Sequence, residues 1–214
     1  LVVKPSLIKR VQERVEIFCR HLSENHPVII LGSPWPADGG VYNAALWIEN
    51  REVKHIAAKT ELPNYSVFDE KRVFKKADTT SLVPFKGYKI GVMICEDMWH
   101  KDIAETLIES GAQLLVVING SPYDQNKEDE RLSVAISRVI ESELPLIYVN
   151  QVGGQDELVF DGGSFVLNSQ SKLCVQCLNW EAALSCVDLE LESDKVNVKT
   201  NDIKPQSFGR ESDY

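Results

Sequence analysis

KIGVMICEDMW, residues Lys89–Trp99, carries an apolar run from Ile90 to Ile94 that is too short for an isolated helix and rich in β-branched side chains. Such a run reads as a strand buried on both faces. It delivers Cys95 at its C-terminal end, where open α/β sheets place their chemistry. Glu96, Asp97 and Trp99 follow at once, so the thiol sits at a crowded polar edge of the core.

On the N-terminal side, residues Ser6–Ser23 set Leu7, Ile8, Val11, Val15, Phe18, Cys19 and Leu22 at helical spacing, which predicts an amphipathic helix. Val28–Leu31 reads as a strand ended by Gly32-Ser33-Pro34. Tyr42–Glu49 and Glu52–Lys59 flank the polar turn Asn50-Arg51 as the arms of a hairpin, with Lys59 at its exit. From Thr60 to Lys86 the chain is polar and Pro-containing, and loops of that length usually serve a site.

On the C-terminal side, a helix is expected over Asp102–Ser110, closed by Gly111. A buried strand follows at Leu114–Ile118. The next helix, Glu128–Glu143, has acidic residues in its first turn and Leu132, Ile136, Val139 and Ile140 on its apolar face. Leu146–Val149 is a further strand, Gly153–Gly163 a glycine-rich loop, and Ser164–Leu167 opens a last hairpin with a polar turn at Asn168–Lys172. Apolar strands alternating with helices are the mark of a layered α/β fold. After about Leu191 the apolar pattern fades, so 1–191 reads as the domain and 192–214 as an extension or linker.

Composition narrows the function. The chain has 214 residues, enough for one α/β core, and a formal charge of −9 that supplies no basic face for nucleic acid or an anionic membrane. The cluster Lys71, Arg72, Lys75 and Lys76 reads as a solvated turn. No run approaches membrane-spanning length and nothing resembles a secretory signal, so a cytoplasmic address is expected. Five cysteines, an odd number, point to free thiols in a reducing compartment. Cys174 and Cys177 form a C-x-x-C, but no second pair completes a zinc set and no metal site is expected. Cys19 and Cys186 read as small buried hydrophobes. Gly153-Gly154 and Gly162-Gly163 do not make a dinucleotide fingerprint.

Five segments, in order, resemble the glutaminase domain of glutamine-dependent NAD synthetases, a branch of the nitrilase superfamily. They are KTELPNYSVFDEKRVF (Lys59–Phe74), GVMICEDMW (Gly91–Trp99), Asn119–Tyr123, KEDERL (Lys127–Leu132) and Leu144–Leu167. The resemblance implies a nitrilase-like αββα four-layer sandwich and a Glu-Lys-Cys catalytic set that hydrolyses the side-chain amide of glutamine. It places Cys95 as nucleophile, Lys59 as the cation at the oxyanion, and Glu70 as a second, supporting glutamate near the lysine. It puts Glu96, Ser121 and Arg131 around the glutamine head group, with Tyr65 and Trp99 as pocket walls. The general-base glutamate is expected in a segment upstream of anything resembling Leu1–Lys4. No pyrophosphate loop of the SGG-x-D-S type occurs, so no cofactor is expected for this domain. ATP and Mg belong to a synthetase domain, the expected partner, and a homo-oligomer is expected as well.

Each residue has a plainer alternative: Lys59 a surface lysine, Glu70 a loop carboxylate, Arg131 a first-turn ion-pair partner, Tyr65 and Trp99 core aromatics. A thiol attacks an amide only as thiolate, a few per cent of the population at an ordinary pKa near ~8.5, so the chemistry demands an activating partner. A Cys-His pair using His55 or His100 lacks an orienting third residue. Glu61 stands where relatives tend to have an aromatic or histidine two residues after the lysine, which bears on fine specificity. Two other functions stay open: an amidase acting on another amide, and a non-catalytic docking module retaining the fold.

Overall fold

The computed structural model describes residues 2, 4–192, 195–199 and 206–207. Helix α1 (Pro5–His21) starts with proline in its first turn, where no N–H is required, and buries Ile8, Val15 and Cys19 along one stripe. Strands β1 (Ile29–Ala37), β2 (Gly40–Glu49) and β3 (Glu52–Ala58) form an antiparallel sheet in that order. Asn50 and Arg51 both adopt positive φ, 52° and 64°, as a tight two-residue hairpin turn requires. Gly32-Ser33-Pro34 does not end the first strand. β1 is an edge of its sheet, so Pro34 and Pro36 remain within it, paired to Asn43 and Val41.

The second sheet has the order β11-β10-β7-β6-β5-β4. It contains β4 (Ser81–Phe85), β5 (Tyr88–Ile94), β6 (Leu114–Asn119) and β7 (Leu146–Asn150). Its inner strands β5, β6 and β7 are parallel, linked through α2 (Lys101–Glu109) and α3 (Lys127–Ser142). The end of the expected 60–86 loop is thus the strand β4, which turns back on β5 through Lys86 and Gly87, both at positive φ. The glycine-rich segment is likewise not a loop. It folds as the hairpin β8 (Val152–Gln155) and β9 (Leu158–Asp161), ahead of β10 (Phe165–Leu167) and β11 (Leu173–Gln176).

Four layers result. α1 packs on the three-stranded sheet through Val15, Cys19, Leu46 and Ile48. The two sheets meet through Ala45, Trp47, Val83, Ile90, Val92, Leu114 and Val116, and Trp47 meets Phe85 edge-on at 5.4 Å between ring centres. On the far side, Met93, Leu115, Val117, Leu146 and Tyr148 pack under Leu107, Ala135 and Val139 of the two helices. Burying side chains of this size contributes about 1.5–3 kcal/mol each, and β5 is buried from Ile90 to Ile94. The order α, β, β, α is the αββα sandwich expected from the resemblance.

Three further points differ from expectation. Ile140, placed on the apolar face of α3, is 65% exposed, and its turn buries Arg138 and Val139 instead. Cys186 is exposed. The boundary at 191 falls inside a hairpin, β13 (Asp188–Glu192) with β14 (Lys195–Lys199), which follows the two-residue strand β12 (Ala183–Leu184). Val196 and Val198 are buried, Val198 against Val166 and Val175, because alternate valines of β14 face the sheet. The rest of the expected extension, apart from Gln206 and Ser207, lies outside the described residues. Among the described residues no helix is long and apolar enough to cross a membrane.

Candidate active site

The chain leaves β5 at Ile94 and turns sharply into a single 3-10 turn, Cys95–Trp99. Cys95 itself takes φ 49°, a left-handed conformation that an L-residue holds only where its surroundings enforce it. The enforcing groups are visible. Asp97, 3% exposed, accepts the Ile94 amide at 3.0 Å through one oxygen. Through the other it accepts the Thr60 and Glu61 amides at 3.0 and 2.7 Å. The turn that carries the thiol is therefore fastened to the residues after Lys59.

Lys59 is 1% exposed. Its backbone is held on both sides, N–H to Asn43 at 2.8 Å and carbonyl to the Ala77 amide at 3.0 Å. Its ammonium donates to Glu70 at 2.8 Å, and Asn43 donates to the other Glu70 oxygen at 3.4 Å. An ammonium has three donors, and this carboxylate takes one. Burial pushes the Cys95 thiol up to about 11; Lys59 pulls the other way, while Glu70, Glu96 and Asp97 add to the rise. The thiol at rest is thus neutral, with one buried cation beside it.

Glu96 accepts the Tyr65 hydroxyl at 2.8 Å and lies 3.6 Å from His100. Tyr65 is 53% exposed and packs edge-on to Phe68, so it stands at the rim of the site and not in the core. Trp99 lies under the Lys127 ammonium, 4.3 Å from the ring centre. His55, on β3, makes no described bond to the site.

Ser121 and Arg131 occupy a separate, closed network. Each guanidinium nitrogen of Arg131 is engaged: Nη1 with both Asp161 oxygens at 2.9 Å, Nε with Ser121 Oγ at 3.1 Å, and Nη2 with the Ser121 and Pro122 carbonyls. Asn150 ties the same loop down, accepting the Ser121 amide at 3.0 Å and donating to the Ser121 and Gly162 carbonyls. The residue that the resemblance puts around the head group is thus a guanidinium engaged at every nitrogen. Its nitrogens are committed to Asp161 and the 121–122 backbone, so it shapes the loop that presents Ser121. Gly162 and Gly163 make the tight turn after Asp161 at φ 75° and 63°; a Cβ on Gly162 would stand 2.5 Å from Val152.

Three participants are absent from the sequence-derived set. Asp161 and one oxygen of Asp97 act on partners 30 or more residues away, which nothing local reveals. Tyr148, 1% exposed and stacked on Phe165, lies close enough to Ser121 and Cys95 to interact with both, and burial raises its phenol. Its place on an apolar strand reads as core, and half of it is. An apolar cavity of about 480 Å³ beside β7, lined by Ile147, Val175, Leu178 and Val187, meets this neighbourhood through Tyr148, Asn150, Gly162, Gly163 and Ser164. Cys95 lies outside that cavity. Among the described residues no group of three His, Cys, Asp or Glu side chains is placed to hold a metal.

The model of the family described as carbon-nitrogen hydrolase matches residues 9–194. A glutamine-dependent NAD(+) synthetase of Rhodobacter capsulatus is 37% identical over 214 residues, all of this chain and 39% of that protein. One of Aquifex aeolicus is 36% identical over 213 residues, 37% of its length. The structure of glutamine-dependent NAD+ synthetase from Acinetobacter baumannii, in complex with ADP, superposes with a TM-score of 0.84 at 32% identity. It is covered to 37%, and this chain to 92%. An amidase from Nesterenkonia shares the fold at 20% identity, TM-score 0.69, over 81% of this chain and 64% of that one. The chain spans less than two fifths of the length of the synthetases it matches.

Proposed function

The chain belongs to the carbon-nitrogen hydrolase family, and from that premise we propose that it hydrolyses the side-chain amide of glutamine through a Cys95 thioester. The ammonia released serves a synthetase part of the protein, which amidates deamido-NAD to NAD with ATP and Mg. The observation that carries the reading is the Cys95–Lys59 arrangement: a thiol on a strained turn beside a fully buried ammonium that keeps donors free.

The steps follow from the geometry. The Cys95 sulfur attacks the amide carbon and the carbonyl oxygen becomes an oxyanion, whose charge the Lys59 ammonium stabilises. Glu70 holds that ammonium in place through a charge-assisted hydrogen bond. The proton of the neutral thiol must go to a base and then to the departing ammonia. The three carboxylates that act on Cys95 are engaged elsewhere: Glu70 with Lys59, Glu96 with Tyr65, Asp97 with backbone amides. The base in this reading is the further glutamate that the family resemblance implies. Water then hydrolyses the thioester, giving glutamate and the free thiol.

In this reading Glu96 supplies the negative charge for the substrate ammonium, and Ser121, held by Arg131 and Asn150, serves the head group. A cytoplasmic address is part of the same reading, supported by five unpaired cysteines. So is self-association, supported by the 65% exposed Ile140 on the outer face of α3. Ammonia release from glutamine tests the reaction: Cys95→Ala should abolish it, and release at the wild-type rate by that variant would refute the assignment.

A further inference from the structure

We infer that Asp97 is a positioning residue: its carboxylate clamps the Lys59 exit loop to the Cys95 turn and thereby sets the separation of cation and nucleophile. The two catalytic residues lie in different sheets. Lys59 follows β3 of the three-stranded sheet, Cys95 follows β5 of the six-stranded sheet, and strands of different sheets share no ladder hydrogen bonds. Apolar packing between the layers is non-directional and leaves their relative slide weakly fixed. A carboxylate that accepts N–H groups from both sides does fix it.

Asp97 does this with both oxygens. One takes Thr60 and Glu61, the two residues directly after Lys59; the other takes Ile94, the residue directly before Cys95. Three donors converge at 2.7–3.0 Å on a side chain that is 3% exposed. Three backbone N–H bonds would ordinarily hold a carboxyl low, yet burial outweighs them and pushes Asp97 up to about 6. The charged form is therefore retained against a desolvation penalty. The facing charges are Lys59, which stabilises the carboxylate, Lys76, paired with Glu61, and the carboxylates Glu70 and Glu96 around Cys95. Asn in its place keeps the shape but turns an amide NH₂ toward one of the N–H donors, breaking one side of the clamp.

This role presupposes the Cys95–Lys59 chemistry proposed above, and the test reads the thiol without glutamine. The rate at which iodoacetamide alkylates Cys95, followed by peptide mass spectrometry across pH, reports the thiol pKa. Asp97→Asn removes a nearby negative charge, which by itself lowers that pKa. If Asp97 holds Lys59 near the sulfur, the substitution instead raises it, with alkylation near neutral pH slowed roughly threefold or more. In the Lys59→Met background the same substitution should lower the pKa or leave it unchanged, a reversal that only coupling through Lys59 produces. A fall in both backgrounds would reduce Asp97 to a bystander charge, and an equal rise in both would mean general loosening; either overturns the clamp. Wild-type hydrogen exchange covers the case of an unfolded variant. The Thr60 and Glu61 amides should be protected to the same degree as Ile94, and exchange at loop rates would refute the clamp. Inactivity toward glutamine alongside the reversal would leave the clamp standing and count against the proposed substrate.

Discussion

Two buried ion pairs lie near the C-terminal ends of the central strands, and they are built for different purposes. Lys59–Glu70 joins a compact ammonium to one carboxylate oxygen at 2.8 Å, with the Glu70 side chain 17% exposed. Arg131–Asp161 is closed: both side chains are 3% exposed and every guanidinium nitrogen is engaged within the protein. Among the described residues the first pair engages one ammonium donor, which in the proposed reading leaves others for a developing charge, while the second engages every guanidinium nitrogen. Lysine suits the first task as a point charge, arginine the second as a planar multi-donor fork. A buried cation is therefore a functional candidate in proportion to the donors it has left.

Breaking the pairs one at a time exposes the difference. Arg131→Ala strands Asp161 in the core and should lower the unfolding free energy by about 3–5 kcal/mol, measured by urea denaturation. Unchanged stability with a raised KM for glutamine would restore Arg131 to the substrate. Lys59→Met should slow glutamine hydrolysis by roughly 10²–10³-fold. It should disturb stability much less, because Glu70 can turn toward solvent; a stability loss as large as that of Arg131→Ala would erase the distinction.

Asp97 sharpens the contrast through pH. Its carboxyl is raised from 3.8 to about 6, so the folded state binds the proton more tightly than the unfolded chain. The stability this contributes is fully present below about pH 4 and is lost as pH rises through 6, by about 3 kcal/mol at most. Wild type measured against Asp97→Asn over pH 4–7 should show that loss, and a flat difference would contradict the burial argument. The smallest effect is expected at the rim. Tyr65→Phe removes a half-exposed hydrogen bond to Glu96 and should change stability by less than about 1 kcal/mol, while weakening glutamine binding in a KM measurement.

The sequence revealed those parts whose physics is local. The β-branched run Ile90–Ile94, the Asn50-Arg51 turn and the apolar stripe of α1 each reflect neighbours a few residues away. Cys95 and Lys59 could be placed because each directly follows a readable strand. What escaped depends on long-range partners. β4 and the far half of β1 are edge strands whose prolines mimic loop chemistry, and β8–β9 hides behind its glycines. β14 looks polar until Val198 meets Val166 and Val175. The Arg131–Asp161 pair escaped because its partners lie 30 residues apart. Asp97 was passed over because its partners are backbone amides, which no side-chain pattern displays.

The central claim is that Cys95 is a nucleophile in a pocket that recognises glutamine. Intact-mass and peptide analysis after exposure to a diazo-ketone analogue of glutamine tests it most directly. One adduct, on Cys95, suppressed by glutamine but not by asparagine, is the predicted result. An unmodified Cys95, or labelling that glutamine does not suppress, would contradict it.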